Sequence, residues 1–126
     1  MHKSRLAGFI IDCQTEDLEA AARFWGAALG YGTEALPQAA EAGYRRLKTA
    51  PEELHIEVQK VSHPSRVHLD IEADDVEAEA RRLEALGARR VAKVHSWVVM
   101  EAPTGQRFCV VRVQRSDFEQ HANRWP

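Results

Sequence analysis

Apolar residues recur along this chain with two alternating periods. Between Leu18 and Leu29 they follow a helical spacing, with Leu18, Ala21, Ala22, Trp25, Ala28 and Leu29 on one face. A second helical stripe runs through Val76, Ala80, Leu83 and Leu86. Thr15 is the expected N-cap of the first helix, and Asp74 with Glu77 resembles a capping box for the second. Both helices run into a Leu-Gly pair, Leu29-Gly30 and Leu86-Gly87, which reads as a helix end with glycine just beyond it. The remaining apolar positions alternate as in strands: Leu6–Cys13, a short one near Thr33–Leu36, Tyr44–Thr49, Leu54–Val61, Arg66–Ala73, Arg89–Val94, Ser96–Glu101 and Arg107–Val113. Pro103-Thr104-Gly105 predicts a hairpin turn, and Ser62, Pro64 and Ser65 mark a junction. The last residues, SDFEQHANRWP, predict a short helix, with Trp125 covering an apolar edge or a subunit contact.

The order of elements repeats. With Asp17 set on Asp75, the segment from Gly8 to Trp25 runs without a gap along Arg66–Leu83, and Asp12 falls on Asp70. Downstream, Ala50–Val58 lies over Ala102–Val110, both opening with Ala-Pro and leading into an apolar strand. In this alignment Trp97 falls on Arg45, next to Tyr44. Two half-chain repeats predict an α+β fold of paired βαβββ modules, module one about 5–61 and module two about 66–114, with a tail at 115–126. A length of 126 residues suits one such domain.

Strand parity assigns faces. Leu69 and Ile71 need helix cover, so His68 and Asp70 point to the other side of the sheet, and the repeat carries Ile10 and Asp12 there too. By the same parity Glu57 shares a face with His55 and Gln59, and Cys109 with Arg107 and Val111. Cys13 and Cys109 then lie on opposite faces, where a disulfide cannot form.

Composition narrows the functional classes. Apolar residues make up 44% and charged residues 29%, an ordinary globular balance, and a formal net charge of −2 gives no electrostatic case for nucleic acid or an anionic membrane. No apolar run is long enough to span a bilayer. The opening MHKSRLAGFIID lacks the long apolar core of a signal peptide, so the cytoplasm is the expected location. Neither cysteine belongs to a CxxC pair, which leaves zinc ribbons and thioredoxin-type sites unsupported.

The paired modules, the segment RVHLDIEADDVEAEARRLEALGA and the hairpin VVMEAPTGQRFCVV together resemble the vicinal oxygen chelate superfamily of glyoxalase I, bleomycin-resistance proteins and extradiol dioxygenases, and within it the small glyoxalase-like domain proteins. Ala102 stands where that family's DPxGxxF hairpin has Asp. The resemblance implies a curved mixed sheet around a concave pocket, with the helices outside. It also implies metal-ligand positions at Ile10, Glu57, His68 and Cys109. Glu57 and His68 match ligand types; Ile10 cannot coordinate, and Cys109 replaces a carboxylate. The set is incomplete, so no cofactor is expected, with a divalent metal on His68 and Glu57 the less favoured alternative.

His68 and Glu57 are accordingly the expected catalytic pair, by proton transfer, with Asp12, Asp70, Gln59, Cys109 and Trp97 lining a ligand pocket. The expected function is binding of a small organic molecule, with lyase or isomerase chemistry on a small carbonyl compound. The alternative is a non-catalytic protein that sequesters an antibiotic or metabolite, and a third reading is a degenerate pocket that serves partner contact. Family resemblance also implies a homodimer.

Overall fold

The computed structural model describes residues 1–36 and 42–126. Its elements, in chain order, are β1 (His2–Gln14), α1 (Leu18–Leu29), β2 (Thr33–Ala35), β3 (Tyr44–Leu47), β4 (His55–Val61), β5 (Arg66–Ala73), α2 (Val76–Ala85), β6 (Arg89–Val94), β7 (Trp97–Glu101), β8 (Arg107–Arg112), α3 (Phe118–His121) and β9 (Asn123–Trp125). The fold is α+β, and the βαβββ order occurs twice, as β1–β4 with α1 and as β5–β8 with α2. Both parallel and antiparallel strand pairs are present. The chain divides into two compact units, Phe9–Val67, and Met1–Gly8 together with His68–Pro126. Among the described residues, no helix is long and apolar enough to cross a membrane.

In the unit Phe9–Val67, β2, β3 and β4 form an antiparallel series, with Thr33 opposite Leu47 and Arg46 opposite Glu57. Ile11, Leu18, Leu47, Ile56 and Val58 make its core, with Cys13, Ala21 and Trp25 packed against them. Ile11 and Cys13 therefore face α1, as alternation predicts. The apolar stripe of α1 ends sooner than expected. Leu29 is 44% exposed, and Gly26 is buried in the last turn instead. The reason is a close approach: a Cβ at Gly26 would sit 2.7 Å from the Tyr31 carbonyl oxygen. Gly30 closes the helix in the left-handed region at φ 82°.

In the other unit, β5 pairs in parallel with β8, which continues antiparallel to β7 and then β6. Its core is Ala73, Ala80, Leu83, Val98, Met100 and Val110, with Ile71 and Phe108 packed against it. Two expectations fail here. Leu69 has the predicted parity but is exposed, and Leu86 is the exposed C-cap of α2. Glu79 takes a buried place on α2 that the apolar stripe did not assign to it. Ala102–Gln106 makes the predicted hairpin turn, with the Gly105 N–H donating to the Ala102 carbonyl at 2.8 Å and Gly105 at φ 93°.

Both cap assignments shift. Asp17 caps α1 by accepting from the Ala20 N–H, while Thr15 Oγ1 accepts from the Asp17 N–H. Asp75 caps α2 by accepting from the Ala78 N–H. Asp74 instead accepts from the Lys3 N–H and donates its own N–H to the Lys3 carbonyl, tying the turn to β1.

The tail forms the expected short helix and also a strand that the sequence pattern did not reveal. β9 pairs with the first residues of β1, His2 opposite Trp125. Trp125 Nε1 donates to Ser4 Oγ at 2.8 Å, and the Arg82 guanidinium lies 3.8 Å from the centre of its ring. Arg82 is thus half-buried between Trp125 and Glu79.

Candidate functional site

The sheet face of β5, β8 and β7 that α2 leaves uncovered follows from the core. Ile71 and Ala73, Phe108 and Val110, and Val98 and Met100 point at α2. Their neighbours His68, Asp70 and Glu72, Arg107, Cys109 and Val111, and Trp97, Val99 and Glu101 therefore occupy the opposite face.

On that face Asp70 is paired across β5 and β8 with Cys109. His68 Nε2 lies 3.6 Å from Asp70 Oδ1, an ion-pair distance. One ligand-type atom from each of His68, Asp70 and Cys109 falls within 4.8 Å of the others. Val99 lies opposite Cys109 on the far side of β8. Trp97 begins β7, and its ring lies 5.5 Å from that of His95. His95 takes a left-handed φ of 52° in the two-residue hairpin loop between Val94 and Trp97, as the first position of such a loop requires.

Glu72 shares this face but is spoken for. Its Oε1 accepts from the backbone N–H groups of Gln114 and Arg115, and its Oε2 accepts from Arg5 Nε at 2.7 Å. Arg5 also binds Asp117, whose carboxyl that guanidinium holds below the usual range. Burial disfavours the Arg5 charge, but hydrogen bonds to Asp117 and Glu72 outweigh it and raise the Arg5 pKa. This cluster anchors the tail, and nothing in the sequence pattern distinguished Glu72 from a solvated strand residue.

The unit Phe9–Val67 holds the other expected site residues. Asp12 is buried, with Arg66 Nε 3.6 Å from its Oδ2. Glu57 Oε2 lies 2.5 Å from His55 Nε2, a pairing that the i, i+2 spacing could have revealed. Gln59 is opposite Tyr44 on β3. Ile10 is buried. Burial pushes the Cys13 thiol up in pKa.

One alignment changes. Val98 pairs with Val110, so the next position sets Trp97 against Val111, just as Tyr44 pairs with Gln59. Since Val111 and Gln59 are repeat-equivalent, the counterpart of Trp97 is Tyr44 and not Arg45.

The nitrogen, oxygen and sulfur donors of His68, Asp70 and Cys109 suit a divalent metal of the zinc type with an open position. Bound there, such an ion would polarise a ligand carbonyl oxygen.

The glyoxalase-like domain family matches residues 8–111. The chain belongs to this family, within the vicinal oxygen chelate fold. Among solved structures, a methylmalonyl-CoA epimerase from Mycobacterium tuberculosis superposes with a TM-score of 0.63 at 16% identity, covering 86% of this chain and 87% of that one. A methylmalonyl-CoA epimerase in complex with methylmalonyl-CoA gives 0.59 at 16% identity, covering 90% and 99%. A glyoxalase/bleomycin resistance protein/dioxygenase superfamily member from Vibrio splendidus gives 0.50 at 15% identity, covering 85% and 98%. No curated protein matches the sequence.

Proposed function

We propose that this protein binds a small carbonyl compound against the face of β5, β8 and β7 opposite α2 and moves a proton at the carbon beside the carbonyl, with His68 as the base. The reaction class is isomerase or lyase. The observation that carries it is the placement of His68 beside Asp70 on that face, 3.6 Å apart. Histidine is the side-chain type that both takes and returns a proton near neutral pH. A neighbouring carboxylate stabilises the imidazolium formed when it does so. Trp97 with His95 gives the same face an aromatic margin, which suits an organic ligand. Glu57 is the second acid–base candidate, set by its pairing with His55. The epimerases of the same fold, one of them bound to a CoA thioester, favour carbon-acid chemistry over redox chemistry as the first class to examine.

The test is proton exchange. Protein in D₂O is incubated with 2-oxo acids, hydroxy ketones and branched acyl-CoA thioesters, and loss of the proton beside the carbonyl is followed by NMR. Wild type should exchange at least one compound, and His68→Asn should slow it on the order of 10²- to 10⁴-fold. Undiminished exchange in His68→Asn would remove His68 as the base. Saturable binding without exchange in any compound would favour the sequestering alternative. Glu57→Gln in the same assay reads the second group.

A further inference from the structure

A charged row continues from His68 across the same face. Leu69 pairs with Phe108, so the preceding position sets His68 beside Arg107. Arg107 is opposite Glu101 on β7, and Glu101 is opposite Arg89 on β6. Directly opposed residues project to one side of a sheet, and neighbouring strands lie about 4.8 Å apart. The alternate positions confirm the side. Phe108 and Met100 pack in the core under α2, and Arg90 reaches Glu77 and Glu84 of that helix.

Two guanidiniums share one carboxylate in this row. Arg89 Nη2 donates to the Glu101 oxygens at 3.0 and 3.2 Å. Arg107 Nε donates to Oε2 at 3.3 Å, a long bond, and this is its one hydrogen bond among the described residues. Arg107 is partly exposed, and its two terminal nitrogens remain available. A guanidinium edge of this kind pairs bidentately with carboxylate or phosphate oxygens. Along β7 the face changes from Glu101 through Val99 to Trp97, from charged to apolar. A rise of about 3.4 Å per residue makes that span roughly 14 Å.

We propose that Arg107, with Arg89 held beside it by Glu101, is the subsite for an anionic group of the ligand, a carboxylate or a phosphate. The substrate class is then an acid-bearing carbonyl compound, its anion on Arg107 and its apolar part toward Val99 and Trp97. This rests on the reading of His68 as the reacting group only for the orientation of the ligand; the anion site itself follows from the row.

The probes are malonate and inorganic phosphate, titrated at low ionic strength into wild type, Arg107→Gln and Arg107→Lys. NMR follows the Arg107 Nε–H and the His68 ring signals. Wild type should show saturable shifts of both groups with one of the probes. The dissociation constant should rise at least tenfold in Arg107→Gln and recover in part in Arg107→Lys. The probe bound more tightly tells a carboxylate from a phosphate ligand. No saturable shift in wild type, or an unchanged constant in Arg107→Gln, overturns the subsite; should Arg107→Gln fail to fold, Arg107→Lys carries the test, with a constant equal to wild type overturning it. No turnover is needed. Anion binding without proton exchange therefore keeps the subsite and loses the base, and proton exchange with the constant unmoved in Arg107→Gln does the reverse.

Discussion

Nε2 of His2 lies 2.7 Å from Oε1 of Glu79, joining the first strand to the second helix across 77 positions of sequence. Glu79 is fully buried, and it also accepts from Ser4 Oγ and from Arg82 Nε and Nη2, each at 2.8 Å. Burial alone would raise its pKa, but the hydrogen bonds from Arg82, His2 and Ser4 outweigh it and hold the carboxyl below its usual value. The group is then a carboxylate that can only accept, so the facing His2 Nε2 carries the proton.

Glu79→Ala should destabilise the protein by about 2–4 kcal/mol, since it takes the acceptor from donors of three residues, His2, Ser4 and Arg82. The pH dependence has a fixed sign. A depressed folded-state pKa contributes stability above the unfolded value, about 4.3, and that stability is lost as pH falls through the folded value. Urea unfolding of wild type between pH 7 and pH 3 should show this loss, and Glu79→Gln should flatten it.

Asp17 and Asp75 perform the same task in the two repeats, each accepting at 3.0 Å from the backbone N–H three residues on. Asp17→Ala and Asp75→Ala should each cost about 1 kcal/mol. Thermal or urea unfolding measures both, and Thr15→Ala should cost less than Asp17→Ala.

Gly26 marks where α1 meets the chain that follows it. An added methyl would press on the Tyr31 carbonyl oxygen and touch Thr33 Cγ2. Gly26→Ala should therefore destabilise by about 1–3 kcal/mol despite its better helix propensity. A stabilised variant in urea unfolding would contradict the close approach.

His68, Asp70 and Cys109 together should bind added Co²⁺ with a thiolate-to-metal absorption band in the near ultraviolet. The band should vanish in Cys109→Ser and weaken sharply in His68→Ala, while Cys13→Ser leaves it unchanged, because Cys13 faces α1. Absorption spectroscopy during titration reads this directly, and a band that survives in Cys109→Ser would take the thiol out of the donor set.

Much of the fold was legible in the chain. The bounds of Arg66–Ala73 and Arg89–Val94 are those expected from alternation, and the repeat register that put Asp17 on Asp75 aligned the two true caps even though neighbouring residues had been assigned the role. Glu79 was not legible. On a helical wheel it is one more carboxylate of α2, and only the arrival of His2 and Ser4 from β1 makes it a buried hub. Trp125 hides in the same way, since a three-residue strand leaves no periodicity to detect.

The sequence by itself determined the local structure, the repeat and the face each strand residue occupies. These depend on 3.6- and 2-residue periods, which any single segment carries within it. Only the tertiary structure decided which side chains meet. Asp70 comes to Cys109, and Arg107 into line with Glu101 and Arg89, because pairing register is set by turns and bulges. A register shift of one residue exchanges the faces of a whole strand, and the hydrophobic pattern of one segment says nothing about which residue of another will stand opposite it.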